Sequence, residues 1–137
     1  MAHFLFKTEP SEYSYDDLVQ ERHTTWDGVS NALALKHLRT AQEGDDVVIY
    51  HTGEERQAVG LARVIRAPYE DPKDPKLTVV DLLVAKRFTK PVTLKEMQAT
   101  PAFADFELLR LPRLSILPVT EKHWTEMLRM AGLLPRR

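Results

Sequence analysis

Two short segments hold residue types that could do chemistry. Phe6-Lys7-Thr8-Glu9-Pro10 sets a cation, a hydroxyl and a carboxylate side by side after an apolar run. At the end of a strand, such a donor and acceptor set suits reading the edge of a polar heterocycle. It is equally the ordinary polarity of a strand end. Trp26-Asp27-Gly28-Val29-Ser30-Asn31 puts an indole just before a glycine turn and a helix start. That indole is either a packing anchor or one wall of a pocket, with Asp27 and Asn31 placed to hydrogen-bond whatever stacks there. On these residues alone the two readings stand level.

Other chemistries are poorly served. Histidines occur at 3, 23, 37, 51 and 123, none in an i, i+4 pair with an acid between, and cysteine is absent. No metal and no cofactor are expected on that donor set. The missing cysteine also excludes a disulfide scaffold and a thiol nucleophile. Glycine is scarce and no phosphate-cradling glycine loop is present, which argues against nucleotide cofactors bound that way. Ser115 and His51 could be drawn as part of a hydrolytic triad, but Ser115 lacks a nucleophile elbow and falls within an expected strand.

The elements that position these residues can be read from the apolar pattern. His3-Phe4-Leu5-Phe6 predicts a buried first strand that stops at Pro10. Ser14 caps a short helix through Glu21, and Ala and Leu favour a second helix over Ser30–Arg39. Asp46–Tyr50 and Ala58–Arg66 flank Thr52-Gly53-Glu54-Glu55 and predict a hairpin. Ala67–Lys76, with Pro68, Pro72 and Pro75, reads as an exposed loop, and Leu77–Phe88 as a long strand. Thr93-Leu94-Lys95-Glu96 is a capping box. Arg113–Leu117 predicts a last strand, and Thr120 caps a helix up to Gly132. Strands with helices inserted between the first two give an α+β class, with the sheet curled into a small mixed barrel and the helices outside it.

The 137 residues fit a single domain over 1–137. Nineteen basic and twenty acidic side chains leave a net charge of -1, too little for a generic polyanion binder. No apolar run reaches the about 18 residues of a membrane span, so no membrane partner is expected. No signal peptide is visible, and a cytoplasmic, monomeric protein is the default expectation. Charge is uneven: residues 1–30 carry two basic and six acidic groups, and residues 67–137 carry twelve and nine. Lys86 and Arg113, in the more basic part, are candidate phosphate contacts.

In order along almost the whole chain, these segments resemble the EVE domain, a small PUA-like family related to YTH domains. The resemblance rests on Phe6-Lys7-Thr8-Glu9-Pro10 with Tyr13-Ser14, then Trp26-Asp27-Gly28-Val29 with Asn31. Gly44-Asp45 leads into Val48-Ile49-Tyr50-His51, and Val59-Gly60-Leu61-Ala62-Arg63-Val64 follows. Phe88 with Pro91-Val92-Thr93-Leu94, and Arg113-Leu114-Ser115-Ile116 with Pro118-Val119, complete it. The chain departs from the family at Ser30, where arginine is usual, and at Leu35-Lys36, where Arg-Asn is usual. The segment after Tyr69 is also shorter than usual.

The resemblance implies a binding module that recognises a modified base in DNA or RNA by stacking it in an aromatic pocket. On that analogy Trp26 is the stacking wall and Lys7, Thr8 and Glu9 reach the base or its phosphate. Asn31, His51 and Thr52 line the same mouth, and Tyr69 is the candidate second wall. Two alternatives remain. PUA-like relatives of the ASCH type act as amidohydrolases on modified pyrimidine nucleosides with a Lys, a Thr and a Glu, types that Lys7, Thr8 and Glu9 supply. Successive strand residues alternate faces, so those three converge only if the strand bends. The other alternative is a protein-interaction adaptor.

Overall fold

The computed structural model describes residues 2–134. Strand β1 (His3–Thr8) is buried through Phe4, Leu5 and Phe6. It lies between two neighbours, running parallel to β3 (Asp46–His51) and antiparallel to β6 (Ile116–Val119). Between β1 and β3 come α1 (Tyr15–Glu21), β2 (His23–Trp26) and α2 (Ala32–Leu38). Then β4 (Gln57–Asp71) and β5 (Asp74–Thr93) form a long antiparallel ribbon. Helix α3 (Leu94–Gln98), a 3-10 turn at Pro101–Phe103 and α4 (Glu107–Arg110) lead to β6, and α5 (Glu121–Met130) follows. The α+β class holds.

The sheet runs β2-β5-β4-β3-β1-β6, so β2 and β6 are two separate edges. This corrects the expected barrel: among the described residues the hydrogen-bonded ladder does not close. The sheet curls nonetheless. Its curl brings Trp26 of edge strand β2 against Phe6 of β1, with ring centroids 5.7 Å apart. Helix α2 packs on both β5 and β6, using buried Ala34, Leu35 and Leu38. A helix therefore fills the seam where pairing would have closed the sheet.

Sequence cues fixed most element ends by ordinary capping. Ser14 and Asp17 make a reciprocal capping box on α1, and Thr93 and Glu96 make another on α3. Asn31 accepts from Ala34 N–H and Thr120 from His123 N–H, which starts α2 and α5. Two expectations fail. Ala67–Lys76 is no loop, because both strands continue to a turn at Pro72 and Lys73. The prolines are tolerated because pairing shifts register repeatedly there, as between Arg66 and Tyr69, where an irregular ladder needs fewer N–H donors. The last strand starts at Ile116 rather than Arg113, and Pro118 is accepted because β6 is an edge strand. β2 escaped notice because His23-Thr24-Thr25-Trp26 has no alternating apolar residues to announce it. Among the described residues no helix is long and apolar enough to cross a membrane.

Candidate functional site

The curl leaves a cleft of about 550 Å³ between the end of β1, the following turn and β2. Lys7, Thr8 and Glu9 line it from one side and Thr24, Thr25, Trp26, Asp27, Gly28 and Val29 from the other. Glu12, Tyr13 and Ser115 complete it. Its size falls within the usual range for small-molecule pockets, about 300–1,000 Å³.

Trp26 is 8% exposed. The ring both packs and faces the cleft: Phe6 lies behind it, and Tyr13 meets it edge-on with centroids 6.0 Å apart and an interplanar angle of 87°. Tyr13 is thus the second aromatic of the cleft, a place the sequence assigned to Tyr69. A tight turn carries it back, with Glu12 and Tyr13 N–H both donating to Glu9 C=O. The Thr8 hydroxyl donates to Tyr13 C=O at 2.7 Å. The signal was the tyrosine four residues beyond Glu9, just past the proline. The Tyr13 hydroxyl donates to Glu21 at 2.5 Å, and burial first, then that carboxylate, push its pKa up to about 12. It remains a neutral donor throughout the physiological range.

Lys7 is the one lysine or arginine among the described residues that is not exposed. Its Nζ donates to Pro112 C=O at 2.8 Å and lies 5.9 Å from the Tyr50 ring centre. Burial lowers its pKa from the usual lysine value. The Glu9 carboxylate accepts from the Ser11 hydroxyl and from Ser11 N–H, which hold its pKa below the usual range. With Glu9, Glu12 and Asp27 set against Lys7, the cleft carries more carboxylate than cation. Such a lining favours a neutral ligand with N–H donors over a phosphate.

The six other candidates lie elsewhere. His51 lines neither this cleft nor its neighbours; it is 7% exposed and its two ring nitrogens are both engaged. Nε2 accepts from Tyr15 N–H at 3.0 Å, so the proton sits on Nδ1, which donates to Glu55 at 2.9 Å. Its job here is to anchor the start of α1. Thr52 lines a separate hollow with Lys7, Tyr50 and Arg56. Asn31 caps α2 and borders a groove with Leu33 and residues 110–114. Tyr69 sits on the β4–β5 ribbon, stacked under Arg66 at 3.8 Å and donating to Asp81 at 2.5 Å. Asp81 also accepts from Thr25, so Tyr69 stands behind the cleft wall, next to Thr25 and Asp81, and does not line the cleft. Arg113 borders the same groove as Asn31, and Lys86 is exposed on β5 and lines neither the cleft nor the groove. Sequence reasoning also missed Glu12, Thr24 and Thr25, and raised Ser115 only as a hydrolytic nucleophile. Only the fold brings β2 and the approach to β6 to the end of β1.

An aromatic corner with a polar rim lies at the edge of a curled mixed sheet with helices packed on it. The EVE domain family model matches residues 2–130, and the chain belongs to that family. It is 28% identical to human thymocyte nuclear protein 1 over 90% of this chain and 71% of that protein. The NMR structure of a protein from Rhodopseudomonas palustris superposes with a TM-score of 0.94, at 38% identity over 99% of this chain and 97% of that one. Human THYN1 protein in complex with 5-methylcytosine containing DNA superposes at 0.88, at 24% identity, over 98% of this chain and 100% of that one.

Proposed function

We propose that this chain is a reader of a modified base in DNA, taking the base out of the stack into the cleft beside Trp26. The observation that carries the reading is the corner made by Trp26 and Tyr13 beside the polar end of β1. The THYN1 complex with 5-methylcytosine containing DNA supports a modified-base DNA partner for this chain as well. The excess of carboxylate in the cleft agrees with it. Exocyclic amino groups, such as that of cytosine, are good donors to Glu or Asp, and a phosphate is not. In this reading Trp26 stacks, Tyr13 closes the side, and Lys7, Thr8 and Glu9 read the base edge. Extruding a base costs a few kcal/mol and one aromatic stack returns about 1–3 kcal/mol, so edge contacts and phosphate contacts must supply the rest. Arg113, and more remotely Lys86, are the proposed phosphate contacts.

A binding role also suits the geometry better than hydrolysis. The Thr8 hydroxyl donates to Tyr13 C=O, and Glu9 is turned toward Ser11. An amidohydrolase would need Lys, Thr and Glu aimed at one reacting atom. The test is titration of matched oligonucleotides with and without one 5-methylcytosine. Tighter binding of the methylated strand, weakened by Tyr13→Ala and Glu9→Gln, is expected. Equal affinity for both strands would refute it, and turnover of an acylated cytidine would replace it with the enzyme.

A further inference from the structure

Next to the cleft runs a groove of about 350 Å³ bordered by Asn31, Leu33, Arg110, Leu111, Pro112 and Arg113, with Leu114 at its base. We propose that this groove receives the nucleotide adjoining the extruded base, so that the ligand is a strand and not a free nucleoside. The inference rests on the base-reading function above.

Four features point to this occupant. The groove and the cleft share a wall: residues 112–115 run between them, with Pro112 C=O held by Lys7 in the cleft and Ser115 lining the cleft itself. A strand that leaves the cleft over this wall passes into the groove. Second, the groove is apolar and open, with Leu33 40% and Leu111 37% exposed, two of five large hydrophobic side chains so exposed among the described residues. A base face can cover that surface whatever its sequence. Third, Asn31 directs its Oδ1 to Ala34 N–H, which leaves its amide N–H₂ without a partner among the described residues and free to donate to a base edge. Fourth, charge separates the two sites. The cleft is rich in carboxylates and repels phosphate, whereas the groove rim carries Arg110 and Arg113. Arg110 pairs with Glu107 at 3.1 Å, but Arg113 makes no ion pair among the described residues. The phosphate linking the two nucleotides therefore finds its cation at Arg113, outside the cleft.

The experiment compares 5-methyl-2′-deoxycytidine with the same residue extended by one nucleotide on its 5′ side, its 3′ side or both. The proteins are the full chain, Arg113→Ala and Leu33→Ser, all checked by thermal melting. One extension is expected to tighten binding about tenfold, the scale of one charge-assisted hydrogen bond. Both substitutions should cancel that gain, Leu33→Ser should leave nucleoside affinity unchanged, and both side chains are exposed enough that folding is not at stake. Arg113→Ala should also flatten the dependence of log affinity on log salt by about 0.7, one phosphate on a single strand. Equal affinity for nucleoside and extended ligands overturns the groove assignment and leaves base reading intact. So does a gain that survives both substitutions. Failure of every methylated ligand to bind overturns both.

Discussion

Replacing Trp26 by alanine removes one wall of the cleft and also a ring wedged between Phe6 and Tyr13. Large-to-small changes of this kind cost about 3–5 kcal/mol of stability. Below its melting temperature, Trp26→Ala should also lose about 1–3 kcal/mol of affinity for a methylated oligonucleotide. Calorimetry at two temperatures separates the two losses. Undiminished discrimination between methylated and plain strands would make the indole a packing anchor alone. His51 makes the opposite forecast. Removing it leaves buried Tyr15 N–H without its acceptor, a loss of about 1–3 kcal/mol. His51→Ala should therefore lower the urea midpoint, and His51→Gln, whose amide oxygen can accept, should recover part of it. A His51→Ala protein with wild-type stability would refute the anchoring role.

Between elements, α1 approaches the sheet closely at a glycine. Tyr15 lies over Gly60 of β4 and donates from its hydroxyl to Leu61 C=O at 2.8 Å. A Cβ on residue 60 would overlap the Tyr15 ring, so Gly60→Ala must push α1 outward. Overpacking of this kind typically costs about 1–3 kcal/mol, and here it should displace Tyr13 and weaken binding as well. A nuclear magnetic resonance map with shifts confined to β4 would contradict that coupling. Helix α3 offers a pH test. Thr93 N–H, ahead of Lys90, holds the Glu96 pKa below its ordinary 4.5. The folded chain therefore binds fewer protons at Glu96 than the unfolded chain does. The stability it contributes is complete at neutral pH and is lost as pH falls below about 4.5 through the lower folded value. Glu96→Gln should flatten that part of the acid-unfolding curve, and an unchanged curve would refute it. Thr93→Ala should cost about 1 kcal/mol at neutral pH.

Across the whole molecule, the net charge is only -1 and the cleft itself is rich in carboxylates. Unmodified duplex should bind weakly at physiological salt, with a shallow salt dependence reflecting one or two phosphate contacts. Tight binding that ignores methylation would contradict this. The acidic first thirty residues and the more basic last seventy, which looked like a gradient in the sequence, become neighbours in the fold. Strand β1 supplies the cleft floor while residues 112–115 supply the wall beside Arg113.

Local order was legible because local forces set it. Ser14, Thr93 and Thr120 stand where N–H groups need caps, Phe4-Leu5-Phe6 can only be buried, and the polar turn between β3 and β4 demands a hairpin. The sequence by itself therefore determined the α+β class, the chain order of most elements and the place of Lys7, Thr8 and Glu9 at the polar end of the first strand. Only the tertiary structure decided which aromatic faces Trp26. Tyr13 and Tyr69 are equivalent as letters, but the Glu9 turn folds one onto the indole while Asp81 and Arg66 hold the other on the ribbon. It likewise gave His51 to Tyr15 and Asn31 to a helix cap, and left the sheet open at β2 and β6. Each of these outcomes turns on contacts between residues far apart in the chain, and on the curl of a sheet whose register no local pattern specifies.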